Sequence, residues 1–87
     1  MRLKYTKNFH KSYSKRIGRN KNLDKRFYER LQLFIQNPQN LILKDHKLTG
    51  ARKQFRAFSV TGDIRVIYYI EKETIYLIDI GSHNQVY

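Results

Sequence analysis

The stretch "FRAFSVTGDIRVIYYI" (residues 55–70) decides the fold. Two runs rich in aromatic and β-branched residues flank Thr61-Gly62, which is the signal of a β-hairpin. With Thr61-Gly62 as the loop, Val60 opposes Asp63, Phe58 opposes Arg65 and Arg56 opposes Ile67, and a four-residue loop preserves that register. Opposed residues share a face, and side chains alternate along each strand. That register predicts one face of Arg56, Phe58, Asp63, Arg65 and Tyr69. It leaves Phe55, Ala57, Ile64, Val66, Tyr68 and Ile70 on the other, which is apolar and should meet the helices. The first face would be open, with two arginines inside strands that need a partner or a ligand.

Outward from the hairpin, "TIYLIDI" (74–80) follows the polar turn "EKE" and reads as the next strand. "RLKYT" (2–6) alternates like a short strand. Residues 7–18 carry Phe9, Tyr13 and Ile17 along one helical stripe, and Gly18 is a stop signal. Within residues 20–40, Leu23, Phe27, Leu31 and Phe34 form a second stripe, with Tyr28 and Ile35 beside it. Asn22 or Asp24 can cap its start, and Asn37-Pro38 ends it. Residues 39–54 look irregular. The order β-α-α-β-β-β predicts an α+β domain spanning 1–87, with two N-terminal helices on one face of an antiparallel sheet.

The 87 residues carry a formal net charge of +11 and no cysteine, which rules out disulfides and thiolate metal sites. The charge is lopsided: residues 1–54 hold 15 Lys/Arg against 3 Asp/Glu, and residues 55–87 hold 3 against 4. Such a field attracts polyanions, nucleic acid first and an acidic protein second. Lys7, Lys11, Lys15, Arg16, Arg19, Lys21, Lys25 and Arg26 cover the outer side of the expected helical hairpin and are candidate RNA-backbone contacts. No apolar run is long enough for a leader or a membrane span, so a cytoplasmic protein is expected.

The residues suited to chemistry are few: Arg56, Asp63, Arg65, His46, His83 and Tyr87. Cleavage of an RNA phosphodiester needs a base for the 2′-hydroxyl, an acid for the leaving 5′-oxygen and cations for the phosphorane. Histidine titrates near neutrality, and the arginine fork matches phosphate oxygens. His10 falls on the lysine-rich face of the first helix and reads as surface. The histidine spacing fits no zinc motif, and no glycine-rich phosphate loop is present; no metal or cofactor is expected.

Four blocks in order, "KDHKLTG" (44–50), "FR" (55–56), "DIRVIYYI" (63–70) and "GSHNQVY" (81–87), resemble the RelE/ParE toxin superfamily, and most closely its YafQ-like branch. The resemblance covers the whole chain. It implies a toxin of a type II toxin–antitoxin system: a metal-independent, ribosome-dependent mRNA endoribonuclease that stops translation and is neutralised by a cognate antitoxin. The charge suggests that this partner is acidic and partly disordered. By position, the resemblance implies catalytic roles for His46, Asp63, Arg65, His83 and Tyr87, and a basic contact at Arg56. The chain departs from the pattern at Ser59, where another histidine is usual, and at Ile64, where a larger apolar residue is usual. The competing expectations are a ParE-type toxin directed at gyrase and a catalytically weak basic binding module of the same fold.

Overall fold

A computed structural model describes all residues, Met1–Tyr87. Strand β1 (Arg2–Tyr5) leads into helices α1 (Lys7–Arg16) and α2 (Lys21–Gln36). An irregular stretch with two single 3₁₀ turns contains the two-residue strand β2 (His46–Lys47). Strands β3 (Arg56–Ser59), β4 (Ile64–Glu71) and β5 (Thr74–Ser82) follow, and a last helical turn, α3 (His83–Val86), ends the chain. The α+β class and the order of the long elements are as the sequence implies. The Thr6 hydroxyl caps α1 by accepting from the Phe9 N–H, and α2 is capped by Asn20, whose side chain accepts from the N–H groups of Asn22 and Leu23, rather than by Asn22 or Asp24, which lie inside its first turn.

The sheet order is β1-β5-β4-β3-β2. Three of its four pairings are antiparallel, but β1 lies parallel to β5, so the sheet is mixed. Alternation in residues 2–6 announces a strand without naming its neighbour. The helical hairpin supplies the long crossover that a parallel pairing requires. Tyr28 and Ile35, placed beside the apolar stripe of α2 by spacing alone, are each about half exposed (52% and 51%).

The register of β3 on β4 differs from the expected one by a single residue. Ser59 opposes Arg65, Phe58 opposes Val66, Ala57 opposes Ile67 and Arg56 opposes Tyr68. The cause is the turn. The Thr61 hydroxyl accepts from the N–H groups of Asp63 and Ile64, and Val60 N–H donates to Ile64 O. The loop is therefore Thr61-Gly62-Asp63, an odd number of residues, and a one-residue slip exchanges the faces. Phe58, Val60, Val66 and Tyr68 enter the main core with Phe9, Ile17, Phe27, Leu31 and Phe34 from the helices. Phe34 stacks on Phe58 with ring centroids 4.5 Å apart. On the opposite face, Ala57 and Ile67 join Leu48 and Val86 in a second, smaller core.

A bulge on β5 opposite Ile67/Tyr68 interrupts the β4–β5 ladder. Its extra residue, Ile78, packs on the smaller core, while Asp79 accepts from Arg16 Nη1 at 3.2 Å. Arg16 also donates to Ile80 O and is half-buried, so it ties α1 to the sheet rather than presenting a free cation to RNA.

Phe58 measures the register. On the expected open face, Phe58→Ala would change stability by less than about 0.5 kcal/mol. In the core, the same substitution costs about 3–5 kcal/mol. Chemical denaturation of the purified variant separates the two values.

Candidate active site

The site is built on the face opposite the helices, around the end of the chain. Val86 holds that end: it is 2% exposed and packs with Leu48, Ala57 and Ile67. The backbone of α3 is capped on both sides. Ser82 N–H donates to Gln85 Oε1 at 2.8 Å, Tyr87 N–H donates to His83 O at 3.0 Å, and Arg52 Nη1 donates to Val86 O. Gly81 makes this closure fit, because a Cβ there would lie 2.6 Å from Gln85 Oε1.

Tyr87 is the hub. Its hydroxyl lies 3.5 Å from His46 Nε2, at the outer limit of a hydrogen bond. His83 meets its ring edge to face with centroids 4.6 Å apart. Burial raises the phenol pKa above its ordinary value, and the nearby charges of Arg65 and Arg52 only partly offset that. The phenol is thus a proton donor throughout the neutral range. His46, Lys47, Leu48, Thr49, Arg52 and Tyr87 surround a cavity of about 360 Å³.

His46 has a defined tautomer. Lys44 takes a left-handed backbone (φ 49°, ψ 39°), and its carbonyl lies 3.0 Å from His46 Nδ1. A carbonyl only accepts, so Nδ1 carries the proton and Nε2 presents a lone pair toward Tyr87. Arg65 is aimed by two contacts: Nη1 donates to Ser59 Oγ at 2.6 Å and Nη2 to Gly62 O at 3.5 Å. Where the resemblance leads one to expect a histidine, this chain therefore has a buried hydroxyl that holds an arginine.

Four of the expected residues, His46, Arg65, His83 and Tyr87, come together. Arg52, absent from that set, joins them; its only signal in the sequence is a cation in the polar stretch before β3. Asp63 does not join. It is exposed in the hairpin turn, and its carboxylate forms no ion pair or side-chain hydrogen bond. Lys7, Lys11, Lys15, Arg19, Lys21, Lys25 and Arg26 are exposed on or beside the helices, across the sheet from Tyr87.

Arg56 is a correction. The slipped register turns it to the helix face, opposite Tyr68 and away from Arg65. Its Nε donates to Asp45 Oδ1 at 3.1 Å, and the Tyr68 hydroxyl donates to Asp45 Oδ2. Burial alone would lower the Arg56 pKa; hydrogen bonding with Tyr68 and the charge of Asp45 outweigh it and the net shift is upward. Burial and the hydrogen bond to Asp45 push the Tyr68 phenol well above its ordinary value. Asp45 immediately precedes His46, so this trio anchors the loop that carries the imidazole. No three His, Cys, Asp or Glu side chains converge anywhere in the chain.

The profile of the family described as "Bacterial toxin of type II toxin-antitoxin system, YafQ" matches residues 1–87. No curated protein matches this sequence. Among solved structures, a metal-bound toxin from Helicobacter pylori is 26% identical, with a TM-score of 0.81 over 100% of this chain and 99% of that one. YafQ from E. coli is 23% identical, with a TM-score of 0.83 over 100% and 99%. YafQ in the E. coli DinJ-YafQ complex is 23% identical, with a TM-score of 0.81 over the same shares.

The anchoring role of Arg56 has a measurable consequence. Arg56→Gln leaves the half-buried Asp45 carboxylate without its cation, and stability falls by about 1–3 kcal/mol. Amide exchange over residues 44–48 quickens, while the salt dependence of RNA binding stays that of the wild type. A reduced salt dependence in the variant would return Arg56 to the nucleic-acid contacts.

Proposed function

The chain belongs to the YafQ family of bacterial type II toxins, and we propose that it acts by cleaving mRNA at the ribosome without a metal. The observation that carries this reading is the convergence of two imidazoles and two guanidinium groups on one protonated phenol. His46 Nε2 removes the proton of the 2′-hydroxyl, whose oxygen attacks the adjacent phosphorus. His83, which packs on the Tyr87 ring, gives a proton to the leaving 5′-oxygen, since an in-line displacement needs an acid for that oxygen as well as a base. The products are a 2′,3′-cyclic phosphate and a 5′-hydroxyl. Tyr87 donates a hydrogen bond to a phosphoryl oxygen, and Arg52 and Arg65 stabilise the charge of the phosphorane.

Asp63 has no place in this scheme. Poisoning gyrase has no evident need for the His46–Tyr87–His83 cluster, and a passive basic module would not need to fix an imidazole tautomer. The exposed cations Lys7, Lys11, Lys15, Arg19, Lys21 and Lys25 suit the rRNA backbone, so α1 and the start of α2 would meet the ribosome and the Tyr87 side the mRNA. The antitoxin fits as an acidic chain that folds onto the basic surface. Charge sets its on-rate and choice of partner, and apolar contacts supply affinity. The complex of DinJ with YafQ is a precedent among structural relatives. No helix is long and apolar enough to cross a membrane.

Each of His46→Gln and His83→Gln should slow single-turnover cleavage by about 10²–10⁴-fold with little change in ribosome binding. Mapping of mRNA ends after induction reads the cut. Wild-type cells that arrest without new 5′-hydroxyl ends would remove the nuclease reading.

Tyr87 gives a second test, through pH. Its pKa is raised, so its protonated form persists above the ordinary tyrosine value near 10. Its contribution is full at neutral pH and is lost only as pH climbs through that raised value. The wild-type to Tyr87→Phe rate ratio should therefore be constant from pH 7 to about 9. A ratio that collapses within this window would assign the donor to another group.

A further inference from the structure

A second cavity, of about 190 Å³, opens where α2, Lys44 and the β3–β4 turn meet. Arg26, Arg30, Lys44, Ser59, Thr61 and Gly62 line it, and no carboxylate does. We infer that this cavity binds a phosphodiester group of the RNA strand next to the one that is cut. The inference rests on the nuclease reading for its place along the strand.

Arg30 is its main donor. It is half-buried, and its Nη1 donates to the carbonyls of Ile42 and Ser59, both at 3.4 Å. Those acceptors are neutral and long, so the charge is uncompensated, and Nε and Nη2 have no acceptor within the protein. A partly desolvated guanidinium without a carboxylate favours an anion with several oxygens. Arg26 lies 3.7 Å from Glu29, but both side chains are about half exposed, and such surface pairs contribute little. The Thr61 hydroxyl already accepts from two backbone N–H groups, which leaves its own hydrogen free to donate.

The cavity also shares a wall with the active site. The Ser59 carbonyl faces Arg30 while its hydroxyl holds Arg65. The Gly62 carbonyl accepts from Arg65, and Gly62 lines the cavity. A strand whose scissile phosphate lies beside Arg65 thus has a second cationic seat across this wall. Glu29, Asp45 and Asp63, each next in sequence to a lining residue, do not line it.

The test uses the intact protein and a short single-stranded RNA with 2′-O-methyl groups throughout, which binds but cannot be cut. Arg26→Gln/Lys44→Gln should lower the slope of log affinity against log salt by about 0.7 for each phosphate that the variant no longer neutralises. Lys4→Gln/Lys72→Gln removes the same charge elsewhere and should leave the slope unchanged. In amide spectra of the wild type, the RNA should shift Thr61 and Gly62, and inorganic phosphate should do so only weakly. Equal slopes in both double variants, or no RNA-dependent shift at Thr61 and Gly62, would overturn the inference. Equal shifts from inorganic phosphate would make the cavity a free-anion site and overturn it as an RNA seat. The wild type is also incubated with unmodified mRNA on ribosomes. If the cavity binds RNA as described but no cut appears, the nuclease reading fails and the seat stands; a cut with an indifferent cavity gives the reverse.

Discussion

The hydroxyl of Thr61 determines which way the sheet faces. By accepting from two successive N–H groups it closes a three-residue turn, and the parity of that turn assigns every side chain of β3 and β4 to one side or the other. Phe58, Val66 and Tyr68 then fall toward the helices and form the bulk of the core. Ser59 and Arg65 fall together on the opposite side, hydroxyl to guanidinium, with Ala57 and Ile67 beside them as a platform for Val86. With an even turn Phe58 would leave its stack on Phe34 for the open face, beside Arg56 and Arg65, and the small Ala57 would take its place against the helices. The large cost of that alternative is what makes the register unique.

That platform explains how His83–Tyr87 can be held in the one arrangement that the proposed chemistry requires. Ordering a terminal residue costs about 1–2 kcal/mol of backbone entropy. Several fixed contacts oppose the cost over His83–Tyr87: the buried Val86 side chain, the Ser82–Gln85 cap and the Arg52 bond to the Val86 carbonyl. Arg52 therefore works at two levels, since the guanidinium that pins the tail also lies close enough to lower the Tyr87 pKa. The histidine and the tyrosine four residues apart are on one helical turn, so fixing the turn fixes both. The anchoring of His46 is independent: Asp45 is tied to Arg56 and Tyr68 on the far side of the sheet.

The elements were legible because each carries its own period. The stripes of Phe9 and Ile17, and of Phe27, Leu31 and Phe34, appear in the sequence and are buried in the fold. The four motif blocks located His46, Arg65, His83 and Tyr87. What could not be read was parity, because Val60-Thr61-Gly62-Asp63 permits a two-, three- or four-residue turn, and the choice rests on one side-chain hydrogen bond. The misplacement of Arg56 follows from that single ambiguity. Arg52 was invisible for another reason: its role depends on a carbonyl 34 positions away, and nothing local marks it. The parallel pairing of β1 with β5 is equally nonlocal.

Ser59 shows how the site balances without the third imidazole that the resemblance implies. An imidazole there could share the work of proton transfer, but on protonation it would have no acceptor to stand for the Ser59 hydroxyl that Arg65 uses at 2.6 Å. A buried hydroxyl has no titration in the working range, so the orientation of Arg65 does not change with pH. In the proposed mechanism the tasks are separate: the groups assigned to proton transfer lie around Tyr87, and the guanidinium groups assigned to charge are fixed by uncharged oxygens of Ser59, Gly62 and Val86. Fixing a guanidinium by neutral oxygens leaves its charge available to an incoming phosphate, whereas a carboxylate partner would neutralise it. Arg56 is the counterexample within the same chain, since its pairing with Asp45 makes it a structural strut.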